Sequence, residues 1–259
     1  MKSSAQLPSA LDEIDHLLAK DDRLAVFLDY DGTLTPIVSR PEDAILSDAM
    51  RERVRRLATK RPVVLVSGRG RRNVAELVGI DGLGYVGSHG FDIVGPEGSG
   101  VAHEVAADAL PLLDDAEAEL RETTADIPGS LVERKRFGVA VHYRLVADGA
   151  IPRVEEAVTA ALAKRQGLQR AEGKKVFELR PDVDWDKGKA VLWLLDALGL
   201  DDAHPIHLGD DLTDETVFTA IRDRGTGVFV GRDDRPTAAA WRLDDPGQVG
   251  RLLDRLTPD

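Results

Sequence analysis

The sequence predicts an α/β fold in which a Rossmann-like parallel-sheet core is interrupted by an inserted α+β domain. Two short apolar runs without alternation, residues 24–28 and 63–66, are typical of strands buried on both faces of a parallel sheet. A Gly-rich polar stretch at residues 95–100 marks a boundary, and alternating apolar and polar residues follow it. After Pro181 the strand–helix rhythm returns. We therefore expect the core at residues 1–104 and 182–259, and the insertion at residues 105–181.

The first core segment is predicted to alternate helices with buried strands. Ser9 can cap a helix over residues 8–20, and the strand Leu24–Leu28 follows it. A second helix begins at Ser47-Asp48, because apolar residues recur there with helical spacing. The strand at residues 63–66, a third helix and a short strand from Tyr85 complete a β-α-β-α-β pattern. This pattern implies parallel strands joined by right-handed crossovers.

The insertion is predicted to contain two helices, at residues 107–125 and 151–165, and at least three half-exposed strands. The segment LVERKRFGVAVHYRLV predicts an antiparallel hairpin that turns near Phe137-Gly138. Alternation gives this hairpin one apolar face and one face with polar side chains. A further strand covers residues 175–180. The polar residues assigned to strand faces are Glu133 with Lys135, His142 with Arg144, and Glu178 with Arg180.

The second core segment is predicted to continue the alternation. A helix opens at Trp185-Asp186-Lys187, and a short strand at residues 205–208 runs into the acidic sequence GDDLTDE. A helix through Ile221, a last strand at residues 226–230 and a closing helix at residues 246–256 complete the core.

Composition excludes several classes of protein. The 259 residues include 46 Asp and Glu against 34 Lys and Arg, a formal net charge of -12, which argues against nucleic-acid binding as the main function. There is no cysteine, and no apolar stretch approaches the ~18 residues of a membrane span. We expect a cytoplasmic, monomeric protein without a membrane partner. Residues 131–180 are nevertheless basic, with eleven Lys and Arg against six Asp and Glu, so the insertion could attract an anionic substrate.

Carboxylates follow the strand at residues 24–28. Asp29 and Asp31 stand at i and i+2, so their side chains can converge just beyond the strand, where ligands bind in parallel sheets. Such close carboxylates need a cation or a shared proton. The alternative interpretation is an Asp-rich turn.

Three further polar clusters occur where strands end or a helix begins. Ser67-Gly68-Arg69 follows the second strand and can bind an anion, although an N-capping Ser would explain it equally well. His89 lies in a glycine-flanked loop and could be an ordinary loop residue. Lys187 begins a helix, and the strand at residues 205–208 precedes a group of carboxylates: Asp210, Asp211 and Asp214.

The ordered set DxDGT, Ser, Lys and GDDxxD resembles the haloacid dehalogenase-like phosphatase superfamily, with the insertion as its large α/β cap. The resemblance implies that Asp29 is the nucleophile and Asp31 the general acid and base. Ser67 and Lys187 would hold the phosphoryl oxygens. The implied Mg²⁺ would bind the side chains of Asp29 and Asp210 and the carbonyl of Asp31, with Asp211 and Asp214 in supporting positions.

The segments VSGR, GSHG, VERK…VHYR, FELRP and GDDLTDE together are similar to the trehalose-6-phosphate phosphatase family. This resemblance implies trehalose 6-phosphate as the small-molecule substrate. The residues that it implies in sugar or phosphate binding are Arg69, His89, Glu133, Lys135, His142, Arg144 and Glu178. Open alternatives are a phosphatase of another sugar phosphate, a sugar phosphomutase, which would return the phosphate to its substrate, and a non-catalytic sugar-phosphate sensor.

Overall fold

The computed structural model describes residues 2–19, 23–38, 40–173 and 175–257. Its strands are β1 (Lys2–Ser3), β2 (Leu24–Leu28), β3 (Val63–Val66), β4 (Gly84–Gly87), β5 (Asp92–Val94), β6 (Ala102–Glu104), β7 (Leu131–Lys135), β8 (Gly138–His142), β9 (Leu168–Gly173), β10 (Val176–Pro181), β11 (His204–Gly209), β12 (Thr226–Val230), β13 (Pro236–Thr237) and β14 (Trp241–Leu243). Its helices are α1 (Ala10–Leu18), α2 (Asp48–Ala58), α3 (Arg71–Val78), α4 (Leu110–Thr123), α5 (Ile151–Ala163), α6 (Lys187–Ala197), α7 (Asp214–Ala220) and α8 (Pro246–Arg255).

The chain divides into two compact units. The first comprises Met1–His103 and Trp185–Asp259, and the second comprises Glu104–Asp184. We call them the core unit and the cap unit. No helix among the described residues is both long enough and apolar enough to cross a membrane.

The core unit is built on an eight-stranded sheet in the order β14-β12-β11-β2-β3-β4-β5-β6. The six strands from β14 to β4 pair in parallel, whereas β5 pairs antiparallel to β4. The strand order reverses between β2 and β11, because later strands add outward from each of them. In open α/β sheets, a crevice forms beyond the carboxyl ends of the strands at this kind of reversal.

Both faces of the core sheet are buried, as the unbroken apolar runs predicted. On one face, Ala25 and Phe27 of β2 join a cluster that includes apolar residues of α6 and α7. Val26 and Leu28 point to the other face and join a cluster that includes α1, α2, α3 and α8. Helix α1 begins at Ser9, whose hydroxyl accepts a hydrogen bond from Leu11 N, as predicted for its cap. Lys20, the last residue of that predicted helix, lies outside the described residues.

The cap unit has a four-stranded antiparallel sheet in the order β7-β8-β10-β9. Val132, Val141 and Phe177 lie in one row across the sheet and join a cluster with the apolar faces of α4 and α5. Residues that alternate with these, such as Glu133 and Glu178, lie on the opposite face. Strand β9 was not predicted, because its sequence LQRAEG has neither an apolar run nor clear alternation.

The predicted hairpin is present, but it ends earlier than expected. Strand β8 stops at His142, and the amide of Val146 donates to the carbonyl of Tyr143, which closes a turn. Arg144 therefore lies in a turn and does not share a strand face with His142, so that part of the prediction was wrong. The core unit also contains short strands that the sequence did not predict: β1, β5, β6, β13 and β14.

Candidate active site

The candidate active site lies at the carboxyl ends of β2 and β11, where the strand order reverses. Asp29 follows β2 directly, and its amide donates to the carbonyl of Leu208 in the neighbouring strand at 2.9 Å. Asp210 follows β11. Gly32 has a φ of +80° and lies so close to Asp210 that a Cβ there would fall 2.1 Å from the carboxylate. Only glycine permits this close approach between the two loops.

Lys187 connects the carboxylates that follow the two strands. Its Nζ donates to Asp29 Oδ1 at 2.9 Å and to Asp214 Oδ1 at 2.8 Å. Lys187 is 3% exposed, Asp29 is 4% exposed and Asp214 is fully buried, so these contacts are shielded from water. Lys187 is placed by helix α6, which begins where the side chain of Asp186 accepts a hydrogen bond from Lys189 N.

His207 was not identified from the sequence as a site residue. Its side chain is fully buried in β11, and Nε2 lies 3.1 Å from Asp214 Oδ1. Asp214 Oδ2 accepts from the amide of Asp211 at 3.1 Å. Asp214 is thus oriented by three neighbours and in turn orients Lys187. A histidine between the apolar residues Ile206 and Leu208, two residues before GDD, was the available signal.

Burial and the surrounding charges change the acidity of the site. Burial, together with the charges of Asp214 and Asp210, raises the pKa of Asp29 well above its usual value, although Lys187 opposes this. Burial and the charges of Asp214 and Asp211 raise the pKa of Asp210 to about 7. Burial alone would raise the pKa of Asp214, but Lys187 and His207 hold it well below its usual value. Burial alone would lower the pKa of Lys187, but Asp214 and Asp29 raise it.

The residues present fit a divalent cation. Asp29, Asp210 and Asp214 each offer an oxygen within 4.8 Å of the others. Asp210 Oδ1 is buried and makes no hydrogen bond to the described residues, so it is available to a ligand. Asp210 also borders a cleft of about 550 Å³, which gives an ion a route to it. Carboxylate oxygens are the ligands that Mg²⁺ prefers. Asp214 already binds Lys187 and His207, which suits a supporting position better than a ligand.

The side chain of Asp31 contacts Arg69. Arg69 donates from Nε to Asp31 Oδ2 and from Nη2 to Oδ1, both at 2.6 Å. The side chain of Asp31 is 44% exposed, whereas that of Arg69 is 13% exposed. The amide of Arg69 donates to Ser67 Oγ at 3.1 Å, and Ser67 is 1% exposed. The structure therefore brings Arg69 to Asp31 and Ser67, a pairing that the sequence did not indicate.

His89 lies beside the Ser67 loop. A Cβ on Gly68 would fall 2.5 Å from His89 Cε1, so the imidazole rests directly on this glycine. The amide of His89 donates to the carbonyl of Ser67 at 3.2 Å. Ser88 and His89 have φ values of 51° and 57°, in the left-handed region that most residues avoid. Such backbone strain is common at ligand-binding sites.

The remaining predicted site residues lie in the cap unit. Strand register places Glu133, Ala140 and Glu178 in one row on the face opposite the helices. Glu133 Oε2 lies 2.7 Å from His142 Nε2, and Lys135 Nζ donates to Glu178 Oε1 at 3.0 Å. Burial would raise the pKa of Glu133, but the hydrogen bond from His142, the largest influence, lowers it. These four side chains thus form one polar group, which we call the cap face; Arg144 is exposed in its turn.

Comparisons with a family model and with known sequences point to the same family. A model of the trehalose-phosphatase family matches residues 27–247. A trehalose-phosphate phosphatase of Mycobacterium tuberculosis is 44% identical over 261 residues, which cover 97% of this chain and 66% of the relative. This chain therefore spans just under two thirds of that relative. An uncharacterized glycosyl hydrolase of the same species is also 44% identical over 263 residues, but the match covers 20% of its length and 98% of this chain.

Comparison with solved structures agrees. The C-terminal domain of a C. albicans trehalose-6-phosphate phosphatase superposes with a TM-score of 0.78 at 25% sequence identity. The match covers 97% of this chain and 98% of that structure, so it includes the core unit and the cap unit.

Proposed function

This chain belongs to the trehalose-phosphatase family, and we propose that it hydrolyses trehalose 6-phosphate to trehalose and inorganic phosphate. The observation that carries the proposal is the contact of Lys187 with Asp29 beside Asp210 at the strand-order reversal. A nucleophilic carboxylate, a buried cation and a vacant carboxylate oxygen are what phosphoryl transfer needs at one point.

Asp29 is the proposed nucleophile. One of its oxygens accepts from Lys187, and the other attacks phosphorus while the bond from phosphorus to the sugar oxygen breaks. The sugar oxygen takes a proton from Asp31, and an aspartyl-phosphate is left on Asp29. Water then attacks that phosphorus, and Asp31 takes a proton from it. Cleavage of the bond to Asp29 releases phosphate and restores the carboxylate.

Lys187 and Ser67 are proposed to hold the phosphoryl oxygens that gain charge during transfer. Lys187 is fixed by Asp214, so its ammonium needs little reorganisation when the phosphate arrives. Ser67 is held in the strand-end loop by its own amide, which donates to the carbonyl of Val86 at 2.8 Å. A hydroxyl and an ammonium on rigid elements form a preorganised anion site.

Mg²⁺ is the proposed cofactor, held by side-chain oxygens of Asp29 and Asp210 and by the carbonyl of Asp31. When bound, it supplies positive charge that lets an anionic phosphate approach anionic carboxylates. Asp211 and Asp214 support this arrangement through the hydrogen bond between them.

We propose that the guanidinium of Arg69 exchanges its partner, Asp31, for the phosphate of the substrate when the substrate binds. In the structure, both oxygens of Asp31 accept from Arg69, so a proton on Asp31 and the guanidinium compete for one carboxylate. A bound phosphate offers Arg69 an alternative partner of the same geometry. His89, which rests on the same loop, is proposed to help bind the phosphate.

The cap face is proposed to recognise the sugar. Glu133, Lys135, His142 and Glu178 combine donors and acceptors within reach of one another, as recognition of several hydroxyls requires. A sugar that left one of these groups without a partner would bind poorly. Arg144 is proposed to contribute from its turn.

A phosphate-release screen across sugar phosphates tests the proposal, with Mg²⁺ and with excess chelator. We expect trehalose 6-phosphate to give the highest kcat/KM and chelator to stop release. A preference for another sugar phosphate would change the assigned substrate but support the assigned reaction, hydrolysis of a phosphate ester. Isomerised sugar phosphate without free phosphate, dependent on a bisphosphate activator, would instead identify a phosphomutase. Binding without turnover would identify a sensor.

A further inference from the structure

We propose that Arg235, held by the N-terminal segment Lys2–Gln6, is a positioning residue for the metal-binding loop, residues 209–214. The inference rests on the proposed function in one respect: it takes Asp210 as a ligand of Mg²⁺. It assigns a role to a residue more than twenty positions beyond that loop, and to the segment that precedes the first helix.

Arg235 lies in the loop between β12 and β13, which we call the surface loop, and its side chain reaches the metal-binding loop. Its Nη2 donates to the carbonyl oxygen of Asp211 at 3.1 Å and lies 3.6 Å from Glu215 Oε1. The guanidinium stacks on the ring of Phe229, with Cζ 4.5 Å from the ring centroid. Only 15% of the Arg235 side chain is exposed, so its position is defined by contacts and not by solvent.

The carbonyl that Arg235 binds belongs to the residue directly after Asp210. Asp210 Oδ1 makes no hydrogen bond to the described residues, so the placement of this carboxylate depends largely on its backbone. Arg235 and the amide of Asp214 both donate to the carbonyl of Asp211. Loss of the Arg235 bond would leave one of these two restraints. A looser loop would place Asp210 less well for a small cation that demands near-ideal geometry.

The N-terminal segment fixes the backbone on which Arg235 stands. Ser4, which is 1% exposed, donates from its amide to the carbonyl of Arg235 at 2.9 Å. Ser4 Oγ accepts from the amide of Arg235 at 3.0 Å and donates to the carbonyl of Asp233 at 2.8 Å. Lys2 and Ser3 continue this contact by pairing with β13.

A second bond ties the residue after β13 to helix α7. Glu215 Oε2 accepts from the amide of Ala238 at 2.8 Å, and Glu215 stands in the first turn of α7. The N-terminal segment, the loop around Arg235 and the metal-binding loop therefore form one continuous hydrogen-bonded series. These hydrogen bonds together restrain the backbone that carries Asp210.

Direct Mg²⁺ binding without substrate, measured by calorimetry on the full chain, tests the inference. We expect Arg235→Met to weaken Mg²⁺ binding by about tenfold, the lower end of the range for residues that support metal ligands. At saturating Mg²⁺, kcat should stay within about threefold of wild type, because the same site then fills. Arg235→Lys keeps the charge and one donor and should recover part of the affinity.

Arg232→Met is the matched control. Arg232 lies on the same loop, pairs with Asp245 at 3.1 Å and has a side chain that is 73% exposed. It should leave the Kd for Mg²⁺ unchanged. Equal affinities of Arg235→Met, Arg232→Met and wild type, with a lower melting temperature for Arg235→Met alone, would make Arg235 a stabilising residue only and overturn the inference.

Ser4→Ala tests the N-terminal segment. We expect a two- to threefold weaker Kd for Mg²⁺, and no further loss when it is combined with Arg235→Met, because both act through one contact. If Arg235→Met does not fold, unchanged affinity in both Ser4→Ala and Arg235→Lys overturns the inference. A wild-type protein that binds no Mg²⁺ would refute the proposed cofactor as well, whereas wild-type binding with unaltered variants refutes this inference alone.

Discussion

At the scale of single residues, the main feature of the candidate active site is an excess of negative charge. Asp29, Asp210 and Asp214 offer oxygens to one point, and a single ammonium, Lys187, lies among them. Burying ionised carboxylates without compensation is costly, and one cation cannot neutralise three of them. Burial and the neighbouring carboxylates raise the pKa of Asp29 and the pKa of Asp210, so ionisation of both groups is disfavoured without a further cation. A divalent cation would supply the missing positive charge.

The first prediction concerns the pH dependence of the metal-free protein. The pKa of Asp210 is about 7 in the folded state and about 3.9 in an unfolded chain. Between these values the folded state binds a proton that the unfolded state does not, so the free energy of unfolding falls as pH rises. Mg²⁺ binds the ionised site and offsets this loss. We expect Mg²⁺ to raise the melting temperature more at about pH 8 than at about pH 5.5.

Thermal melting across this pH range, in excess chelator and in Mg²⁺, measures the effect. Asp210→Asn in excess chelator is the control, because an amide cannot titrate and the part of the pH dependence that comes from Asp210 should vanish. An equal Mg²⁺-induced shift at both pH values in the wild type would contradict this account of Asp210.

The second prediction concerns Asp31. Asp31→Asn removes the proposed base of the second step and should slow turnover by roughly 10²–10⁴-fold. With p-nitrophenyl phosphate, whose leaving group needs no protonation, the first step should persist and phospho-enzyme should accumulate. Acid quenching followed by peptide mass spectrometry would find one phosphoryl group on the peptide that contains Asp29.

The double variant Asp29→Asn with Asp31→Asn is the matched control and should carry no phosphoryl group. Full turnover in Asp31→Asn, or a phosphoryl group on a residue other than Asp29, would contradict the assigned roles.

Residues with a motif could be predicted from the sequence, and residues that act through the fold could not. Asp29, Ser67, Lys187 and Asp210 were identified because each follows a buried strand or begins a helix. The Arg69–Asp31 ion pair joins two loops, and its geometry depends on how β2 and β3 pair. Arg235 donates to a backbone carbonyl, and every residue type has one, so the sequence does not reveal this contact.

At the scale of elements, the buried strands were the most predictable. Strand β12 has its predicted bounds, and β2 and β3 do also, because apolar runs bounded by polar residues have few alternatives. The short strand β5 and the edge strand β9 were missed. Their pairing is decided by the neighbouring strand and hardly at all by their own composition.

The cap face depends on one element-level feature. Gly138 stands at the start of β8, and a Cβ there would fall 2.8 Å from Glu178 Oε1. The absent side chain lets Glu178 cross the strand to reach Lys135. The hairpin therefore supplies the polar groups together with the space in which they meet.

The third prediction tests the role of the cap face in sugar recognition. Glu178→Ala should lower kcat/KM for trehalose 6-phosphate by about ten- to a hundredfold, since hydrogen bonds to charged groups contribute roughly 1.5–3 kcal/mol. Hydrolysis of p-nitrophenyl phosphate, which has no sugar, should change far less. Steady-state kinetics on both substrates, with a melting curve, measure the difference.

Glu117→Ala is the control for this experiment. Glu117 is a carboxylate of the same unit, pairs with Arg121 on helix α4 and takes no part in the cap face. Glu117→Ala should leave kcat/KM unchanged for both substrates. Equal losses of Glu178→Ala on the two substrates, together with a lowered melting temperature, would show that Glu178 only stabilises the cap unit.

At the scale of the whole molecule, positive charge is concentrated in one segment of an acidic chain. The chain carries a net charge of -12, yet residues 131–180 of the cap unit are basic. If the proposed function is right, this segment should attract the anionic substrate and raise its local concentration. The sequence also predicts that a second unit interrupts the core, because the hydrophobic period changes within residues 95–181.

The fourth and most direct test measures phosphate release from trehalose 6-phosphate by the wild type and by Asp29→Asn in saturating Mg²⁺. An amide cannot attack phosphorus, and Asn has nearly the shape of Asp, so the fold should survive the change. We expect kcat to fall by roughly 10³-fold or more with an unchanged melting curve. Substantial steady-state release by Asp29→Asn, shown by mass spectrometry to be free of deamidated and wild-type protein, would contradict covalent catalysis by Asp29.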